Sequence, residues 1–114
     1  MIREIQFYKN HFTDFYISLD SSVQEKFEFV FKIIRTVDRI PEKFFKHIEG
    51  SEGLFEIRIK ARNGIYRVFC CFDKGRIVIL FNGFQKKSRK TPKKEVEKAV
   101  RLKQEYFIKK GSKS

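Results

Sequence analysis

Three consecutive apolar segments separated by two turn signals constrain this chain more than any other feature. LFEIRIKAR (Leu54 to Arg62) alternates: Leu54, Glu56, Arg58, Lys60 and Arg62 fall on one side, and Phe55, Ile57, Ile59 and Ala61 on the other. That period of two is the mark of a strand with one buried face. Asn63-Gly64 follows, a pair suited to a two-residue hairpin turn of the I′ type. IYRVFCCF (Ile65 to Phe72) is the return strand, Asp73-Lys74-Gly75 a second turn, and RIVILFN (Arg76 to Asn82) a third strand. The third is apolar enough to be central, with both faces covered. A meander of this kind is antiparallel and must bury a face against another layer.

The flanking segments supply that layer. REIQFY (Arg3 to Tyr8) alternates and reads as an N-terminal strand. Phe27, Val30, Phe31 and Ile34 follow the i, i+3, i+4, i+7 spacing of one buried helical face. The helix is expected from Ser22 to Val37, with Ser22 as N-cap and Glu25 completing a capping box. A shorter helical piece precedes it, from Phe12 to Leu19. Pro41 suits the start of a short helix over Glu42 to Ile48, ended by Gly50 and Gly53. Thr91 as cap and Pro92 as first residue open a C-terminal helix to Lys109, with Val96, Ala99, Val100, Lys103 and Phe107 marking its inner face. The expected fold is α+β. An N-terminal strand and a three-stranded meander form a small antiparallel sheet, with two N-terminal helices and a C-terminal helix, all on one face. With 114 residues and no Gly/Ser- or Pro-rich linker this is one domain, residues 1–110, with 111–114 as a disordered tail.

Charge narrows the function. The chain has 26 Lys and Arg against 14 Asp and Glu, a formal net charge of +12. From Met1 to Ile57 the balance is −2; from Arg58 to Ser114 it is +14. One surface therefore carries the whole excess, which calls for nucleic acid, an anionic membrane or an acidic protein. No apolar run is long enough to span a membrane, and the N-terminus lacks the apolar core of a signal peptide. Cys70 and Cys71 are adjacent, a poor disulfide geometry, so a reducing cytoplasm is the expected compartment.

Two basic clusters are the candidate sites. Arg58, Lys60 and Arg62 share one side of their strand, and Arg67 lies on the next. A turn centred on Asn63-Gly64 sets Arg62 against Ile65 and Lys60 against Arg67, a like-charge pair that needs an anion nearby. The second cluster is FQKKSRKTPKK, where Lys86, Lys87, Arg89, Lys90, Lys93 and Lys94 put six cations in nine residues. Such a run makes phosphate contacts, and positive charge in a helix first turn opposes the helix dipole unless an anion is bound. Tyr66 and Phe84 border these clusters, in positions suited to core packing first and base stacking second. His11 and His47 lie far apart without a Cys or carboxylate cluster, so no metal site is expected. Phosphate-loop and dinucleotide motifs are missing too, and no cofactor is expected. Glu56 and Asp73 could form a carboxylate pair, with nothing beyond their presence to support it.

Taken in order from Ile48 through Ala99, GLFEIRIK, GIYRVFCCF, RIVILFNGFQKKSRKTP and KKEVEKAV resemble the RelE/HigB superfamily of bacterial type II toxins. The likeness is greatest to the HigB-like, phage-derived branch of this RelE/ParE group, where a basic F-x-K-K segment and a T-P helix start recur. The resemblance implies a toxin that cuts mRNA in the ribosomal A site without a metal, held inactive by a cognate antitoxin of helix-turn-helix type. It maps the catalytic side chains to Arg58 and Arg67, with Lys60 nearby and Lys86 or Lys87 as a further cation. Arg62, Lys86, Arg89, Lys90, Lys93 and Lys94 are left to hold RNA. Some relatives carry a Tyr or His near the start of the last helix; here that stretch reads TPKKEVEKAV, and Tyr106 is the only tyrosine nearby. Cleavage through a 2′,3′-cyclic phosphate needs proton transfer as well as phosphate stabilisation, and Lys60, Lys86 and Lys87 are the candidates for it. A ParE-like toxin directed at gyrase and a non-catalytic nucleic-acid binder are the alternatives. The antitoxin is expected to cover Arg58, Arg67 and Lys86 to Lys94, or else to pack on the apolar side of the first helices.

Overall fold

The computed structural model describes residues 2–111. Its elements are β1 (Glu4–Phe7), α1 (His11–Ile17), α2 (Ser21–Thr36), β2 (Phe45–His47), β3 (Leu54–Ala61), β4 (Gly64–Asp73), β5 (Ile77–Lys86) and α3 (Lys93–Gly111). They build one five-stranded sheet in the order β1-β5-β4-β3-β2. Strands β2 to β5 pair antiparallel, as the meander requires. β1 instead lies parallel to β5, Glu4 opposite Ile77 through Phe7 opposite Leu80. The sheet is therefore mixed, with five strands rather than four. The long excursion through α1, α2 and the meander makes a parallel return possible.

The apolar β5 demanded cover on both faces, and it has it. α1 and α2 pack on one face, where Phe12, Phe27, Phe31 and Ile34 meet Ile57, Ile59, Val68 and Leu80. α3 packs on the other, where Ala99 and Leu102 meet Leu54, Phe69, Ile79 and Phe81. The expectation of all helices on one face is thus corrected: Val78 to Phe81 is buried on both sides, so two layers are needed. The inner stripe of α3 also differs. It runs through Val96, Ala99, Leu102 and Tyr106, while Val100 and Phe107 are exposed. Gly111 is still helical, where the tail was expected to begin, and residues 112–114 lie outside the described residues.

Three local corrections have physical causes. The cap of α2 is Asp20, whose carboxylate accepts from Val23 N–H at 3.1 Å. The Ser22 hydroxyl is itself bonded to that carboxylate, so it does not cap. The short helix expected over Glu42 to Ile48 is replaced by a turn, in which Phe44 N–H donates to Pro41 C=O, followed by β2. Phe45 stacks on Phe55 at 5.0 Å and meets Phe72 edge-on at 5.6 Å, and this tertiary contact outweighs the helical signal. The hairpin turns on Arg62-Asn63, not Asn63-Gly64, so that Ala61 pairs with Gly64. Neither turn residue has positive φ, so the turn is not of the I′ type. The Asn63 side chain donates to Asp20 and accepts from the Tyr66 hydroxyl, which ties the turn to both α2 and β4.

β5 runs to Lys86 and so turns the expected loop after Gly83 into strand. It carries a bulge: Val68 pairs with Gly83, but Cys70 pairs with Leu80, leaving one extra residue on β5. The extra residue reverses the alternation, so Phe84 joins the α3 side while Gly83 comes against α1. A Cβ at Gly83 would sit 2.5 Å from the Phe15 ring. Among the described residues no helix is long and apolar enough to cross a membrane. Gly83→Ala is expected to lower stability by about 1–3 kcal/mol through this overpacking, read as a lower urea midpoint with unchanged slope.

Candidate functional site

The α3 side of the sheet is apolar at one end and cationic at the other. Registers line up three cross-strand rows at the cationic end. Lys60, Ile65 and Lys86 form the first, Arg58, Arg67 and Phe84 the second, and Lys46, Glu56 and Phe69 the third. The one-residue shift of the hairpin places Arg67 opposite Arg58, where Lys60 was expected. Two guanidinium groups side by side would repel, and Glu56 lies between them. Its Oε1 is 3.3 Å from Arg58 Nε and 3.6 Å from Arg67 Nε. Neither Nε forms a well-directed hydrogen bond, so the attraction is Coulombic and both buried donors remain unsatisfied. Buried donors in that condition cost about 1–3 kcal/mol each.

Arg67 is only 6% exposed. Burial pulls its guanidinium below the ordinary value; Glu56 opposes this and Arg58 adds to it. It stays charged, as arginine does in proteins. One carboxylate therefore serves two arginines, and the surplus positive charge favours an anion. Arg58, Lys60, Arg67, Ile65 and Lys43 line a cleft of about 200 Å³. Ile65 also borders an adjoining cleft lined by Lys86, Lys87 and Arg89. Lys60 and Lys86 flank Ile65 on opposite sides, about 10 Å apart across two strand spacings.

The remaining expected residues are more peripheral. Arg62 is exposed at the hairpin turn rather than aligned with Arg58 and Lys60. Lys90, Lys93 and Lys94 are exposed on the loop and the first turn of α3, and line neither cleft. Tyr66 is buried on the α1 side, and Phe84 packs on Phe69 at 5.4 Å, so both are core. Tyr106 donates to Asp73 Oδ2 at 2.6 Å. Asp73 is six residues along β4 from Arg67, about 20 Å by strand rise, which separates Tyr106 from the arginines. Asp73 is also about 13 Å from the row of Glu56 by strand rise, so the two carboxylates form no pair. Cys70 and Cys71 face opposite cores. Burial pushes the Cys70 thiol well up and the Cys71 thiol to about 11, which leaves no thiolate at neutral pH.

Reading the sequence missed Lys43 and Lys46, because both sit on the stretch taken for a helix. The signal for a strand was the aromatic Phe44-Phe45 pair ahead of Lys46 and His47. Beyond Glu56, a third cleft of about 300 Å³ is lined by Lys46, His47, Thr91 and Val96. Asn82, on the bulge, donates to the backbone and side-chain oxygens of Glu95 at 3.0 and 2.9 Å and fixes the start of α3 beside that cleft.

The family model of the phage-derived protein Gp49-like family (DUF891) matches residues 14–104. This chain belongs to that family. A search of curated protein sequences returned no match. Among solved structures, the chain is similar to one in the archaeal RelE–RelB complex of Pyrococcus horikoshii OT3. The TM-score is 0.55 at 22% identity, over 79% of this chain and all of that one. It is also similar to a chain of the RelB–RelE antitoxin–toxin complex of Methanococcus jannaschii, with TM-score 0.52 at 13% identity, over 70% of this chain and 88% of that one. At these identities the likeness is one of fold. The family model bears out the phage-derived branch of the expected resemblance, and the solved structures bear out its RelE-like fold.

Two outcomes follow from the geometry. Glu56→Gln leaves the paired arginines without a counter-ion and is expected to cost about 3 kcal/mol, at the low end for a broken buried pair. Millimolar polyphosphate should recover more of the lost thermal stability in this variant than in wild type. Neither cysteine is expected to react with a thiol reagent at pH 8 in the native protein, and both should react in guanidinium.

Proposed function

We infer that this protein is the toxin of a toxin–antitoxin pair and acts as a metal-independent endoribonuclease on mRNA held in the ribosome. The observation that carries the reading is the Arg58–Glu56–Arg67 cluster, open to a cleft with Lys60 and Lys43 on a RelE-like fold. A phosphodiester entering the cleft supplies the anion that the two arginines lack. As the 2′-oxygen attacks, charge grows on the pentavalent phosphate, and two guanidinium groups stabilise it better in that state than in the ground state. Glu56 is a positioning residue: it holds both arginines toward one point. Lys60 and Lys87 are assigned the proton transfers to and from the 2′ and 5′ oxygens. Lys86, Arg89, Lys90, Lys93, Lys94 and Arg62 extend the positive surface toward flanking RNA, where each contact adds to the salt dependence of binding.

The partner is an antitoxin, expected to mask the cationic face; the helix-turn-helix type and a cytoplasmic setting go with the same reading. Induced expression in a bacterial host should arrest growth and produce cuts within translated frames. Arg58→Ala, on the more exposed arginine, should lower cutting by about 10²–10³-fold while the protein stays folded by circular dichroism. Arg67→Lys keeps a charge and is expected to lose most activity through lost bidentate geometry. Arrest with inhibited supercoiling and intact mRNA would move the target to gyrase. Salt-dependent RNA binding without arrest would leave a plain binding module.

A further inference from the structure

β3 is longer than the strand that covers its outer edge. β2 pairs with Phe55, Glu56 and Ile57 only. Arg58 N–H donates to Phe44 C=O at 2.8 Å, and Ile48 N–H donates to Leu54 C=O at 2.9 Å. The backbone groups of Leu54, Glu56 and Arg58 thus face β2, and by alternation those of Lys60 face outward as well. No backbone group among the described residues meets Lys60 on that side. β2 cannot lengthen to cover it, because the chain turns away at Pro41–Phe44.

A groove of about 610 Å³ runs beside this open edge, between β3 and α2. Its floor includes Phe29, which is 59% exposed, and Phe44, whose ring meets Phe29 at 6.1 Å. Lys26, Lys43 and Lys60 stand along its rim, with Glu25 the one acidic residue there. An apolar floor, cationic walls and free strand hydrogen bonds describe a definite occupant.

We propose that this edge takes an extended acidic segment of a partner chain, added to the sheet as a strand beside Lys60. Every second side chain of that segment drops onto Phe29 and Phe44 on the α2 side. The alternate ones face Arg58 and Lys60 on the other side, so the fitting sequence alternates apolar and acidic residues. A second copy of this chain does not fit, since it would set Lys43 and Lys60 against like charges. The inference deepens the toxin reading, on which only the identity of the partner as the antitoxin rests: a strand bound here would close the arginine cleft from its edge.

The test uses the full chain and a capped peptide of about twelve residues alternating valine and glutamate. Controls are the same peptide with alternate amides N-methylated and one with lysine for glutamate. Hydrogen exchange at the Lys60 amide should slow by about tenfold or more in the acidic peptide, and N-methylation should abolish the effect. Phe29→Asp, at an exposed position, should weaken binding by about tenfold. Unchanged exchange at Lys60, or binding indifferent to N-methylation or to Phe29→Asp, would overturn the proposal. Growth arrest is read separately on wild type and Phe29→Asp. Arrest without a protected Lys60 amide sinks the docking edge alone, while protection without arrest sinks the toxin reading and leaves the edge standing.

Discussion

A single extra residue in β5, opposite Val68 and Cys70, organises what lies around it. Before it, Leu80 points into the core under α1 and α2. At it, Phe81 and Asn82 both serve the α3 side, the first as core and the second as the anchor of Glu95. After it, Gly83 admits the Phe15 ring, and Phe84 stands across from Arg67 on the α3 side, packed on Phe69. A strand of strict alternation would send Phe84 and Lys86 under the helices and leave the cationic face without its third strand. The bulge thus sets the seat of α1, the start of α3 and the composition of the site through one change of phase.

The site itself is an electrostatic imbalance held in place by packing. Glu56 and Arg67 are buried beside a layer of Phe69 and Phe84 that cannot yield much, so the charges keep their places although their hydrogen bonding is incomplete. Elsewhere the opposite arrangement holds. α3 buries only Ala99 and Leu102 fully, and polar clasps steady it: Tyr8 and Lys9 bind Glu105, while Tyr106 and Lys110 bind Asp73. Lys9 and Tyr8 hold the Glu105 carboxyl at about 2, and Lys110 and Tyr106 keep Asp73 below the ordinary carboxylate range. The half-exposed Glu105 clasp is screened by solvent and modest in strength. Carboxylates in one part of the fold are satisfied by cations, while in the candidate site cations outnumber them.

Local pattern determined a good deal. The strands of the meander, the inner face of α2 at Phe27, Val30, Phe31 and Ile34, and the shared side of Arg58 and Lys60 all follow from periodicity, because period two and period 3.6 are properties of the chain itself. The concentration of positive charge in the second half was legible for the same reason, and so was the family, in the ordered run from GLFEIRIK to KKEVEKAV. Tertiary structure alone decided the rest. Phe45 became a strand because Phe55 and Phe72 were there to receive it, and that brought Lys43 and Lys46 to the site. Asn63 shifted the hairpin by one residue because Asp20 and Tyr66 hold its side chain, and that set Arg58 against Arg67. The β5 bulge chose which basic residues face the cleft. Each of these depends on partners distant in sequence, and a register or phase change of one residue costs little locally while reversing every side chain that follows.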